Sequence, residues 1–226
     1  MLSLFFSERR LPHLLLAACL LPILGSCTGT RNLVDPVVQI RTSGGQELGV
    51  TTDYGIVFLG RTAQTGDIEI TAWFGDGPSI EPSTIEPVGG AIYTAETEIL
   101  LPAVPMLFDE PAAGDFVVVM GRNAEGPWRE IMQLQSDPRV LGLLLDIPEQ
   151  LDGQEDQIGA GIFRYLRDDP ERLQLLGLVS GRLTLHTAQG EKEFLTIVGP
   201  RDLWRLVAHR RHYLRRRPIV YREDVL

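Results

Sequence analysis

Three histidines follow residue 28, His186, His209 and His212, and each raises a chemical possibility. His209 and His212 stand at i, i+3 in a helical stretch, a spacing that can hold a metal ion. Arginines surround them, and neither a carboxylate nor a cysteine is close by. The pair reads as a solvated basic face, and no metal is expected. His186 follows Ser180, but no acid completes a nucleophile and base arrangement. Gly177-x-x-Ser180-Gly181 also lacks the spacing of a nucleophile elbow. Asp152, Glu155 and Asp156 form an acidic loop whose order is not that of an EF-hand. Asp168-Asp169-Pro170-Glu171 reads as a turn. No glycine loop suits a phosphate, so no cofactor is expected and no motif specifies a reaction.

The two cysteines lie near the start. Arg9 and Arg10 precede an apolar stretch, Leu11 to Leu24, interrupted by Pro12, His13 and Pro22. This is the layout of a secretory signal, and it is short for a membrane span, which needs roughly 20 residues. Leu24-Gly25-Ser26-Cys27 resembles the lipobox of a bacterial lipoprotein precursor. A second match, Leu16-Ala17-Ala18-Cys19, would leave Leu20 to Leu24 exposed after cleavage. Cleavage before Cys27 leaves the polar tether Thr28-Gly29-Thr30-Arg31-Asn32. The resemblance implies a membrane partner through a lipid anchor at Cys27, held stably by more than one acyl chain. Thr28, where inner-membrane retention usually shows Asp, implies the outer membrane facing the periplasm, with the inner membrane or cell surface as alternatives. After processing no second cysteine remains, so the exported domain has no disulfide. Residues 28–226 are 199 residues, long enough for a core.

Charge is segregated. The chain is net −9, yet residues 28–200 carry 11 basic and 26 acidic side chains, net −15. Residues 201–226 carry 8 arginines and 3 acids, net +5. The acidic body argues against nucleic acid as a partner. The tail, with Arg205, Arg210, Arg211, Arg215, Arg216, Arg217, Trp204 and Tyr213, is a candidate contact surface. Its partners would be lipid headgroups, an acidic protein or the body of this same chain.

The elements that must position these residues are mostly strands. Val37–Thr42, Tyr54–Leu59, Asp67–Phe74, Ala91–Leu101, Asp115–Gly121, Trp128–Leu134, Val140–Ile147, Ile162–Leu166, Leu173–Ser180, Arg182–Thr187 and Glu193–Val198 are the candidates. Arg122–Pro127 reads as a moderate hairpin loop, and Ala188-Gln189-Gly190-Glu191 as a second turn. Gly75–Gly90 reads as a surface loop, and Asp109–Gly114 as a divider between halves. Gly199-Pro200-Arg201-Asp202 opens a helix that Pro218 stops, with Leu203, Leu206, Val207 and Leu214 on one face.

Residues 155–163, Glu-Asp-Gln-Ile-Gly-Ala-Gly-Ile-Phe, precede a polar insert and then Leu175-Leu176-Gly177-Leu178-Val179-Ser180-Gly181-Arg182. This resembles the nucleophile region of trypsin-like serine peptidases, where a Gly-Asp-Ser-Gly turn leads into a strand and a hairpin returns as Leu-x-Gly-(Ile/Val)-Val-Ser. Pro111–Gly121 resembles the strand opening that fold's second barrel, and the closing helix also fits. The resemblance puts the degenerate nucleophile turn at Gln157, Ile158, Gly159 and Gly161. Ile158 takes the serine position, and Gln157 takes the aspartate unless the loop shifts onto Asp156. The family's histidine lies in the first barrel, but none occurs between Thr28 and His186. Acyl transfer needs hydroxyl, base and oxyanion hole together, so no catalytic residue is assigned.

The expectation is mainly β: a two-barrel trypsin-like architecture with a C-terminal helix, or an immunoglobulin-like sandwich with a small second β unit. The expected organisation is a signal (1–26), a lipidated cysteine and tether (27–35), a β-rich domain (36–198, halves 36–112 and 113–198) and a basic helix and tail (199–226). The expected role is a non-catalytic envelope protein that binds another protein. The alternatives are a hydrolase with a misaligned site using Ser180, or a glycan-binding module stacking on Trp73, Trp128 or Tyr54.

Overall fold

The computed structural model describes residues 35–61, 68–71, 79–99, 101–123, 125–147, 157–187 and 190–216, with side chains as far as Arg210 in the last segment. Thirteen strands and one helix are named among them. The first sheet comprises β1 (Val37–Thr42), β2 (Gly45–Thr52), β3 (Gly55–Phe58), β4 (Ile68–Thr71), β5 (Ser79–Ile80), β6 (Thr84–Gly89) and β7 (Ile92–Glu96). Its order is β5-β4-β1-β2-β3-β7-β6, antiparallel throughout.

The second sheet comprises β8 (Phe116–Asn123), β9 (Gly126–Gln133), β10 (Leu144–Asp146), β11 (Gly161–Arg164), β12 (Leu175–Thr187) and β13 (Gly190–Val198). Its order is β10-β13-β12-β11-β8-β9. A bridge between Gln135 and Leu144 joins its two ends, so the sheet curls toward closure. Helix α1 (Pro200–Arg216) follows β13 directly. The Gly199 carbonyl accepts from the Asp202 and Leu203 amides, and Asp202 adds its acid to the first turn.

Alternation explains why the first sheet is buried on both faces. Ile56 and Phe58 of β3 join Val38, Ile40 and Ile70 in one cluster, inside the curl. Val57 and Leu59 point the other way, into a larger cluster with Val118, Val119, Phe163, Leu178 and Val179 of the second sheet. Leu203 and Leu206 of α1 complete that cluster. The two sheets therefore share a core, as two curled barrels rather than one sandwich.

Several sequence expectations need correction. Gly45–Thr52, unassigned from sequence, is a strand. The 75–90 segment holds β5 and β6, and β6 tolerates Pro87 because it is an edge strand. The 122–127 loop is shorter than expected, since Asn123 pairs with Gly126. Leu173–Ser180 and Arg182–Thr187 are one strand, β12, with a register shift between Val179 and Gly181. Strands expected over 91–101 and 140–147 shorten to β7 and β10. Cys27, Trp73, the 152–156 acidic loop and Arg217 lie outside the described residues.

Candidate functional site

The turn entering β11 is wedged between the sheets. Gln157 and Ile158 are 8% and 6% exposed. The Gln157 side-chain oxygen accepts from the Trp128 indole at 3.2 Å, and its carbonyl accepts from the Ala160 amide at 3.0 Å. The Ile158 carbonyl accepts the Leu48 amide of β2 at 2.8 Å, and the Gly159 amide donates to Val179 of β12 at 2.8 Å. Gly159 has φ +84°, and a β-carbon there would stand 1.8 Å from the Leu48 carbonyl oxygen. Only glycine fits both that φ and that approach. The four residues assigned to the turn from sequence thus sit together. Ile158 presents a hydrocarbon to the core where the resemblance places a hydroxyl.

Ser180 occupies the irregularity in β12, the kind of place where a bulge re-aims a side chain. Its Oγ lies 2.9 Å from Thr196 Oγ1. Its carbonyl accepts Arg61 Nη2–H at 2.8 Å, across from the first sheet. The Arg61 amide donates to Glu47 Oε2 at 3.2 Å, and Glu47, next to Leu48, is 2% exposed. The side chain that reaches the Ser180 carbonyl from the segment after β3 is thus a guanidinium, which stays protonated and cannot act as a base. His186 lies six residues along β12, roughly 20 Å at the rise of a strand. It pairs with Glu191 at 3.4 Å, so it does not serve Ser180.

Sequence reasoning missed Arg61, Glu47 and a buried ion pair. Arg122 Nη1 donates to Asp35 Oδ2 at 2.6 Å, with the side chains 5% and 13% exposed. Burial raises the Asp35 carboxyl above its usual value, although the Val37 amide and the Arg122 charge pull it down. Strong patterning marks a core, but nothing local marks a pair 87 residues apart.

The basic helix divides. Arg210 donates to the Asp53 carbonyl and lies 5.1 Å from the Tyr54 ring centre. His209 Nε2 is 3.4 Å from Glu86 Oε2. Arg205 is half exposed, 3.6 Å from Asp202 of its own helix, with its side chain lying over Gly89 and Gly90. Arg211, Arg215 and Arg216 continue the helix backbone. Trp128 is buried and Tyr54 packs edge-on against Phe108, so neither offers a free stacking platform. Among the described residues no group of three His, Cys, Asp or Glu is placed to hold a metal.

No family model matches the chain, and no curated protein is similar to it. Solved structures are. A human pathogenic astrovirus serine protease aligns with TM-score 0.52 and 14% identity over 74% of this chain and 91% of its own. A protease from M. tuberculosis in its active form gives 0.54 and 16% over 77% and 81%. A serine endoprotease from Yersinia pestis gives 0.52 and 17% over 78% and 62%. At such identities the likeness speaks for architecture alone: the chain has the trypsin-like serine-protease fold, two curled sheets closed by a C-terminal helix.

Proposed function

We propose that this chain is a non-catalytic, lipid-anchored cell-envelope protein that uses a trypsin-like fold to bind another protein. The observation that carries the reading is the burial of Ile158 in the turn where a nucleophile is required. Changing that residue alone supplies no histidine base from the first sheet, because none occurs between Thr28 and His186. Among the described side chains, the Ser180 hydroxyl pairs with Thr196, and neither His186 nor His209 is paired with it, which weighs against the misaligned-hydrolase alternative.

The second sheet offers a surface for a protein partner. Phe116 of β8 and Ile131 of β9 are 56% and 50% exposed. The register sets Val118 opposite Ile131, so Phe116 and Ile131 are diagonal neighbours on one face. A groove lined by Leu107, Tyr165 and Leu176 together with charged Asp109, Glu110 and Arg164 opens beside Phe116. Exposed aromatic and aliphatic anchors beside a groove are what binding hot spots are built from. The test is cross-linking in the cell envelope with Phe116→Asp and Ile131→Asp introduced together. Loss of a partner recovered with the unaltered chain supports the reading. Unchanged recovery removes this face from it. Intact mass of the processed protein, with an acylated Cys27 as its first residue, tests the anchor separately.

A further inference from the structure

We infer that the outward face of α1 is an adsorption surface for anionic phospholipid headgroups. The helix has one apolar side, and its own core uses it: Leu203 and Leu206 are 0% and 2% exposed. A second side is taken by the first sheet through His209 and Arg210. The helical spacing puts positions 201, 204, 205, 208, 211, 212 and 215 along the remaining side. Arg201, Trp204, Arg205 and Ala208 are exposed there, and Arg211, His212 and Arg215 follow in sequence. Trp204 is half exposed and braced edge-on against Phe108 at 5.0 Å. Arg201 has no ion pair among the described residues, while Arg205 pairs with Asp202 and lies partly against Gly89 and Gly90 of the first sheet, with half of its side chain exposed at the edge of the face.

The choice of lipid over protein rests on composition and charge. Guanidinium groups match phosphate in a two-bond geometry. An indole among them suits the depth of the headgroups, where tryptophan collects at membrane surfaces. The face has only Trp204 and Ala208 as apolar groups, too little for the desolvated centre of a protein interface. The acidic body does not forbid the approach, since its charges beyond about 8–10 Å are screened at physiological salt. With the apolar side committed to the core, the helix adsorbs and does not insert. The inference draws on the lipid-anchored reading only for the membrane's proximity, because a tether turns a weak surface contact into a frequent one.

The experiment uses the full chain with vesicles of phosphatidylcholine alone and with phosphatidylglycerol added. A lipid anchor binds both vesicle types, so the difference between them reports the helix. Stronger partition onto the anionic vesicles is expected, weakening as salt is raised. Arg201→Glu with Arg205→Glu should cut the anionic partition at least about 25-fold, from roughly fivefold per arginine. Arg164→Glu with Arg167→Glu, the same charge change elsewhere, should leave the preference in place. Trp204 emission should shift to the blue on anionic vesicles, a change lost in Trp204→Phe. Equal partition onto both vesicle types overturns the inference, as does an anionic preference that survives Arg201→Glu with Arg205→Glu. Failure to bind phosphatidylcholine at all would count against the anchor and leave the helix inference standing if anionic vesicles still bind.

Discussion

Arg61, three residues beyond β3, donates to the Ser180 carbonyl on β12 at 2.8 Å, a hydrogen bond that ties the segment leaving the first sheet to the second. It falls at the irregularity in β12, and the Arg61 amide is tied back to buried Glu47. The bond caps a strand carbonyl with a permanent cation, one residue after Val179, whose carbonyl accepts from Gly159 of the turn.

Arg61→Ala should therefore loosen the joint without unfolding the protein. A hydrogen bond at a partly exposed site contributes about 1 kcal/mol. Hydrogen exchange should speed up at Gly181 and Arg182 while the amides of β8 stay protected. Equal acceleration across both sheets would mean that Arg61 supports the whole fold and not this joint.

Ile158→Ser should cost stability and bring no activity. The side chain is 6% exposed, and removing a buried aliphatic of this size costs about 2–4 kcal/mol. The imidazoles among the described side chains are engaged elsewhere, His186 with Glu191 and His209 with Glu86, so peptide and ester hydrolysis should stay at background. Urea unfolding and a fluorogenic ester assay check the two halves of the expectation.

Gly159→Ala should be more damaging than its size suggests. The φ of +84° disfavours an L side chain, and the β-carbon would meet the Leu48 carbonyl oxygen at 1.8 Å. Relief requires the turn to move and the Leu48–Ile158 backbone bond to break. Strain and an orphaned polar group together cost about 3 kcal/mol or more. For a domain of this size that lowers Tm by roughly 6–12 °C, measurable by thermal melting.

Asp35 gives an acid-side signature. Its folded carboxyl holds a proton more tightly than the unfolded one, near 3.8, because burial outweighs the Val37 amide and Arg122. Its contribution to stability thus improves as pH falls through the raised value toward 3.8, and is poorest above it. Stability relative to Asp35→Asn should rise over that window. Asp137 has the opposite sign: hydrogen bonds from Arg139 hold it at about 2, so its contribution is present above 3.8 and lost as pH falls toward 2. Removing Arg122 instead strands a buried carboxylate and should cost about 3–5 kcal/mol at neutral pH. Urea midpoints across pH for the three chains separate these effects.

The barrel strands with alternating β-branched residues were legible in the sequence, and β1 matches its expected bounds. β2 was not, for a physical reason. It reads Gly45-Gln46-Glu47-Leu48-Gly49-Val50-Thr51-Thr52, which looks like a polar, glycine-broken loop. Gly49 makes room because a β-carbon would crowd Ile40 Cδ1 at 2.9 Å and Ile56 Cγ2 and the Val57 carbonyl oxygen at 3.1 Å, and Glu47 receives the Arg61 amide. Both reasons depend on residues distant in the chain. β6 was hidden by Pro87 and Gly89, which an edge strand tolerates. The turn at 157–161 was legible because its closely spaced glycines stand out in the sequence, although the approach of Leu48 that requires Gly159 is distant in the chain. Arg61 was not, since a residue that reaches the Ser180 carbonyl from 119 residues away can be recognised only once the sheets are together.

Treatment of the full chain with a fluorophosphonate probe, read by intact mass, tests the loss of catalysis most directly. No adduct is expected, since neither Ile158 nor Ser180 provides an activated hydroxyl. A stoichiometric adduct, lost in Ser180→Ala or mapped to any other serine, would contradict the non-catalytic reading and return the chain to the hydrolases.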